Sequence, residues 1–310
     1  MTKILIGSLF GWGVLILVGT QLLSRWPDNQ VHVIFCDVGQ GDSILIINQF
    51  TQVLIDSGRD TKVLDCLSRH FPPGDKNIEV VIATHADLDH IGGFSAVFRH
   101  FNVSHLFVSG FGKSTRDFFE FRTAVQELLS RGTKLYLGQN GQSVELKQKF
   151  QLKIISPRGE RGTLSLFTGQ KTEEQLSAII HQQEAEYTSI NNESIGAFLT
   201  IGRFKMLLMA DIEKEGELAL IKSRVLTRVN VLKAGHHGSK TSSTELFLAK
   251  VKPEFVVMSV GKGNSYGHPH QEVLQRLAIY SPYIFRTDRD GDVVWIGNGL
   301  TFRWKTQHSR

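Results

Sequence analysis

An apolar run, Ile78-Glu79-Val80-Val81-Ile82-Ala83, breaks without a spacer into Thr84-His85-Ala86-Asp87-Leu88-Asp89-His90. Its β-branched content reads as a buried strand. The stretch after it carries two imidazoles and two carboxylates within six residues, and a helix is expected from Phe94, after the Gly92-Gly93 hinge. On one turning loop the N and O donors of His85, Asp87, Asp89 and His90 come close enough to hold one or two divalent cations. A polar turn whose Asp only caps the next helix needs one such residue, not four. The strand is therefore expected to end in a metal-binding loop.

The rest of the chain divides into three parts. Ile4 to Leu23 is twenty residues without a charge, about 30 Å as a helix and enough to cross a hydrocarbon core. A cleaved signal peptide would have a shorter apolar region and a small-x-small site, which Val18-Gly19-Thr20-Gln21 supplies poorly. Residues 1–25 are expected to form an uncleaved, single-pass anchor in the cell membrane. Lys3 before the span and Arg25 after it favour an extracytoplasmic position for the remainder of the chain. Residues 26–30 then make a linker and residues 31–310 a single domain.

Within that domain, strands are expected over Val31–Val38, Ser43–Ile47 and Thr51–Ile55, an antiparallel meander by their short turns. Val63–Phe71 reads as a helix, and Phe121, Ala124, Val125, Leu128 and Leu129 mark one apolar helical face. Further strands are expected over 134–137, 150–156, 196–201, 204–209, 229–232 and 254–260, with helices after Glu213, Thr244 and Gln271. Pro157 to Tyr187 turns polar and reads as a surface insertion. Strands first and helices after, twice over, suggest two stacked sheets with helices on both outer faces, an αββα sandwich of the α/β (α+β) class. An apolar fraction of 41% supplies the core for it. Cys36 and Cys66 stand thirty residues apart without CxxC spacing. They read as buried free thiols, with a single disulfide as the alternative.

Three further strings accompany the His-x-Asp-x-Asp-His loop: Asp37-Val38-Gly39-Gln40-Gly41-Asp42, Gly235-His236-His237-Gly238-Ser239-Lys240, and Tyr266-Gly267-His268-Pro269. In this order they resemble the hydrolase domain of the ComEC/Rec2 family of DNA-uptake proteins, within the metallo-β-lactamase fold superfamily. The resemblance runs from about Val31 to about Trp304. It implies that His85 and Asp87 hold one metal, that Asp89 and His90 hold a second, and that Asp211 bridges them. His236 would complete the second site while His237 faces the substrate. The superfamily's third histidine has no counterpart, since Asn191-Asn192-Glu193-Ser194 stands in its place and the nearest histidine is His181. One tight and one loose ion are therefore expected. Asp42 and Asp56, at strand ends, are expected to orient the ligands.

The donor set of imidazoles and carboxylates suits Zn²⁺ or Mn²⁺. Asp89, His237 and His268 are the expected catalytic groups, with His268 able to protonate the leaving oxygen or grip a phosphate. Asn192, Ser194, Ser239, Lys240 and Lys233 are the expected substrate contacts. Lys222, Arg224, Arg228, Lys233 and Lys240, with no acidic residue among them, make a candidate stripe for a phosphate backbone. The net charge of +5 is compatible with polyanions without singling them out. The reading is a metal-dependent phosphodiester hydrolase, a nuclease acting on DNA beside a channel protein of an uptake system. The alternatives are a phosphoester hydrolase on a small or envelope substrate and a catalytically weak DNA-binding module.

Overall fold

A strand buried on both faces needs apolar residues at nearly every position, and the first strand has them. In a computed structural model of the chain, which describes residues 26–110, 112–146, 150–157 and 189–308, β1 (Val31–Phe35) turns Val33 and Phe35 to one core and Ile34 to another. β2 (Ile44–Asn48) and β3 (Thr51–Ile55) come next as the expected antiparallel meander. After α1 (Lys62–His70), β4 (Asn77–Ala83) joins parallel to β3. The short α2 (Leu88–Ile91) and α3 (Phe94–His100) lead to β5 (Asn102–Val108), and α4 (Arg116–Ser130) leads to β6 (Lys134–Leu137).

β7 (Ser143–Leu146), β8 (Phe150–Ile154), β9 (Ala197–Ile201) and β10 (Phe204–Leu208) are the antiparallel part of a second sheet. α5 (Lys214–Lys222), β11 (Val231–Lys233), α6 (Glu245–Val251), β12 (Phe255–Met258), α7 (Gln271–Tyr280) and β13 (Tyr283–Arg286) extend it in parallel. Through α8 (Thr287–Asp290) the chain returns to the first sheet as β14 (Val293–Gly297) and β15 (Phe302–Thr306). The sheets run β15-β14-β1-β2-β3-β4-β5-β6 and β13-β12-β11-β10-β9-β8-β7.

Three apolar layers hold this together. Val33, Phe35, Val53 and Trp295 of the first sheet meet Leu152, Leu199 and Met206 of the second. Val63, Phe94, Phe98, Phe121 and Val125 seal α1, α3 and α4 onto the outside of the first sheet. Leu220, Phe247, Leu248, Val273 and Leu277 do the same for α5, α6 and α7 on the second. The result is the αββα order. The expected membrane span and the polar insertion after Pro157 lie outside the described residues. Among the described residues no helix is long and apolar enough to cross a membrane.

One expectation is corrected here. Cys36 and Cys66 are not free thiols but a disulfide, with Cα atoms 5.8 Å apart. α1 packs directly over the end of β1, which brings the two buried sulfurs within bonding reach.

The register also fixes which loops share an end of the molecule. β1, β3 and β4 of the first sheet, and β10, β11 and β12 of the second, all run toward one pole. Their C-terminal ends deliver Asp37–Asp42, Asp56, the His85–His90 loop, Asp211, the His236-His237 pair and the His268 loop to that pole.

Candidate metal centre

Asp211 is the hub. Nε2 of His90 lies 3.3 Å from its carboxylate, that of His237 3.4 Å, that of His236 3.7 Å and that of His85 3.9 Å. The other ring nitrogens are tied back. Thr84 Oγ1 donates its one proton to Asp56 Oδ2 at 2.7 Å, so it accepts from His85 Nδ1 at 3.1 Å. His90 Nδ1 donates to Asp56 Oδ2 at 2.7 Å, and His237 Nδ1 to the Ser259 carbonyl at 2.9 Å. His236 Nδ1 lies 3.2 Å from both Glu213 Oε1 and Thr241 Oγ1. Each Nδ1 is thus occupied, which turns every Nε2 inward; metal-binding imidazoles are held in this way.

Asp89 completes the inner set, with Oδ2 3.4 Å from His237 Nε2. Four mutually close triads result: His85, His90 and Asp211; Asp89, His90 and His237; Asp42, Asp211 and His237; Asp42, Asp56 and His90. His85 Nε2 and Asp211 Oδ1 are buried without a hydrogen bond among the described residues. Such acceptors fit a cation. The electrostatics agree: burial alone would raise Asp211, but His237 and His90 hold its carboxyl well below the usual range. Burial would lower His90, yet Asp211 and Asp56 lift it well above an ordinary imidazole; Asp211 and Asp42 lift His237 likewise. The carboxylates draw protons onto the rings, as they would draw a metal ion. Burial, helped by His90, pushes His85 down to about 4, which leaves its lone pair free.

The backbone is shaped for this crowding. Asp56, Ala210, His236 and His237 all have positive φ, between 46° and 59°, a cost of about 1–3 kcal/mol each that persists where the surroundings impose it. Gly41 is needed beside the loop, because a Cβ there would lie 2.0 Å from the Asp89 carbonyl oxygen. That closeness lets Asp42 N donate to the same oxygen at 3.1 Å. Asp42 is in turn bound to the ammonium of Lys233, which also donates to the Ala210 carbonyl at 3.2 Å. Burial works against ionising Asp42, and Lys233 and then His237 overcome it, bringing it to about 2.

Several expected site residues stand elsewhere. Asp87 pairs with Lys113 and belongs to none of the triads. The order within the histidine pair is reversed: His237 is the deeper ring, while His236 sits at the rim, since the left-handed backbone of both swings the second ring under the first. Lys233 is 0% exposed and cannot meet a polymer. The basic stripe therefore breaks, with Arg228 and Lys240 at opposite ends of β11. Asn192 is buried and its amide oxygen accepts from Glu213 N and Gly216 N, so it tethers the start of α5 instead of a substrate. Ser194 is buried, its hydroxyl without a hydrogen bond among the described residues, where Ile195 N meets the Thr84 carbonyl. Ser239 Oγ is 3.0 Å from Thr241 Oγ1, inside its own loop. Lys240 is exposed at the rim.

His268 stands 5.7 Å from His236, ring to ring, and is stacked on the exposed Tyr266. Burial, with His237 and His236 nearby, pushes it down to about 4, so it is a neutral ring. Lys113, Glu213, Thr84 and Ser259 were not anticipated. Thr84 and Glu213 each adjoin a donor (His85) or stand just after the hub, which is a signal in the sequence. Lys113 and the Ser259 carbonyl carry none.

A family model described as the metallo-beta-lactamase superfamily matches residues 36–262. That stretch contains Asp42, Asp56, His85, Asp89, His90, Asp211, His236 and His237, while His268 lies beyond it. ComE operon protein 3 of Bacillus subtilis is 30% identical over 293 residues, 88% of this chain and 34% of that protein. Recombination protein 2 of Haemophilus influenzae is 26% identical over 293 residues, 91% of this chain and 31% of that protein. The chain thus spans about a third of the length of the curated relatives it matches. The crystal structure of the metallo-beta-lactamase fold protein YhfI from Bacillus subtilis superposes with a TM-score of 0.51 at 12% identity, covering 86% of this chain and 100% of that one. That likeness is one of fold. From its two sheets, its histidine-aspartate hub and the matched stretch that contains that hub, the chain belongs to the metallo-beta-lactamase superfamily.

Proposed function

We propose that the chain hydrolyses phosphodiesters with one or two bound divalent ions, and acts as a nuclease on DNA outside the cytoplasm beside a channel protein. The observation that carries the hydrolytic part is the convergence of four Nε2 atoms on Asp211 while each Nδ1 is anchored. An ion held by His85, Asp89, His90, Asp211 and His237 would supply Lewis-acid activation of water and of the scissile group. Zn²⁺ and Mn²⁺ both suit this donor mixture.

The chain's own residues then divide the work. Asp211 and Asp89 supply the negative charge that holds cations, and Asp42 and Asp56 keep the rings facing them. Neutral His268 offers an N–H to a phosphate oxygen, and Lys240 offers an ammonium. The names of the relatives, ComE operon protein 3, Recombination protein 2 and a Competence protein ComA of Neisseria gonorrhoeae, support DNA as the substrate. The Cys36–Cys66 disulfide supports a position outside the reducing cytoplasm. So does the uncharged stretch from Ile4 to Leu23.

The test uses purified chain stripped with a chelator and resupplied with Mn²⁺ or Zn²⁺. It is expected to cleave both DNA and bis-p-nitrophenyl phosphate with metal and neither without. Cleavage of the small diester alone would remove the nucleic-acid part; no cleavage with either ion would remove the hydrolase.

A further inference from the structure

We infer that the pole opposite the metal centre rests on a lipid bilayer, through a ridge of aromatic and aliphatic side chains that the hydrolytic reading does not use. The register places the start of β1, the β2–β3 turn, the β14–β15 turn and the start of β13 together at that pole. There Trp26, Phe50, Leu300, Phe302 and Tyr283 are 58%, 52%, 77%, 40% and 54% exposed. Trp26 meets Phe50 edge-on at 6.0 Å. Phe302 meets Phe255 at 5.6 Å, and Phe255 stacks on Tyr283 at 5.1 Å. Large apolar side chains gathered at one end of a soluble face mark an interaction surface.

Two observations choose lipid as the occupant. Trp26 stands three residues after Leu23, the last of the twenty uncharged residues that are long enough to enter a bilayer. Whatever that stretch enters, Trp26 and the pole around it must lie close to. The residue types fit as well, since Trp and Tyr sit at the headgroup level of membranes with an apolar body and a wet tip, while Phe and Leu enter the apolar boundary beside them. The charge is of the matching sign. Arg203, on the β9–β10 turn against Gly299, and Arg303 are exposed beside the ridge. Of the carboxylates of this pole, Asp28 and Glu254 meet His32 and Arg228, which leaves Asp75 and Glu145 at its edges. Anionic headgroups attract such a surface.

The consequence is an orientation. β4, seven residues long, spans the distance between the poles, so the metal centre faces away from the lipid at a height of about 20 Å. This goes beyond the proposed hydrolysis and holds whether or not the centre cleaves DNA.

The test uses the full chain reconstituted in vesicles of phosphatidylcholine and phosphatidylglycerol whose acyl chains are brominated near the headgroup. Leu300→Trp and, separately, Phe50→Trp add one indole at the ridge; Leu246→Trp adds one at the start of α6, on the metal side. Emission added by either ridge indole over the parent chain is expected to be lost to the bromine, and emission added by Leu246→Trp is expected to survive. Retained emission from both ridge indoles would overturn the proposal and give the ridge to a protein partner. Equal loss from all three would overturn the orientation. Metal-dependent cleavage is measured on the same vesicles, so docking and hydrolysis can fail separately.

Discussion

Around Asp211, neighbouring carboxylates have different fates, and single substitutions should separate them. Asp211 faces four imidazoles, whereas Asp87, only two residues before Asp89, is taken by Lys113. Asp211→Ala is expected to remove most of the bound Zn²⁺ or Mn²⁺, and Asp87→Ala to leave most of it, as elemental analysis of dialysed protein would report. Full occupancy after Asp211→Ala would end its role as hub. Lys233 tests the support beneath. Lys233→Met leaves Asp42 buried without its ammonium, which should cost about 3–5 kcal/mol, while Lys233→Met with Asp42→Leu should recover most of it. Urea midpoints measure both. The double variant should still bind metal more weakly, because His237 loses the carboxylate beside its Nδ1. His85, Asp89, His90 and Asp211 could be gathered from the sequence because each stands just after an apolar strand. Lys233 could not, because its charge suggested solvent and only the second sheet's packing shows that it is sealed. The histidine pair was legible as a pair but not in its order, which depends on two left-handed backbone turns.

At the scale of elements, α5 shows how the loops of the site are held. Asn192 accepts from its first amides, and Glu217 on its buried face accepts from Ser243 N, Thr244 N and Thr244 Oγ1 at the entry to α6. Burial pushes Glu217 up to about 7 from 4.5, against those hydrogen bonds and Arg276. The folded protein therefore binds this proton more tightly than the unfolded chain. The resulting stability is full below about 4.5 and is lost as pH rises to about 7, with no further change above that. In Glu217→Gln the step should vanish, which urea midpoints across that window would show; an unchanged slope would place the titration elsewhere. The helices after Glu213, Thr244 and Gln271 were legible from their punctuation and apolar faces. β5 and β7 were not. Asn102-Val103-Ser104-His105 opens β5 with polar residues, and the strand exists because β4 and β6 flank it. β7 is four residues whose only described partner is β8.

For the whole molecule, the Cys36–Cys66 bridge closes a loop of thirty residues, and opening it should cost about 3 kcal/mol. Thermal unfolding with and without reductant would measure this, with Cys36→Ala/Cys66→Ala as the control that no longer responds to reductant. The two-sheet order was readable from the succession of strands and helices, whereas the disulfide needed the placement of α1 over β1. The pairing of distant segments at the centre carries a consequence for synthesis. Asp42 and Lys233 are separated by 191 residues and His90 and His237 by 147, and such contacts form late because a long loop must close first. A ribosome that has released the first sheet's helices and the His85–His90 loop has made a polypeptide with donors but no hub. Competence to bind metal therefore arrives in two steps: Asp211 completes the triad with His85 and His90 once β10 has emerged, and His237 adds its share only after β11 and the turn beyond it, so a product stopped before Phe204 would carry the loop and remain inert.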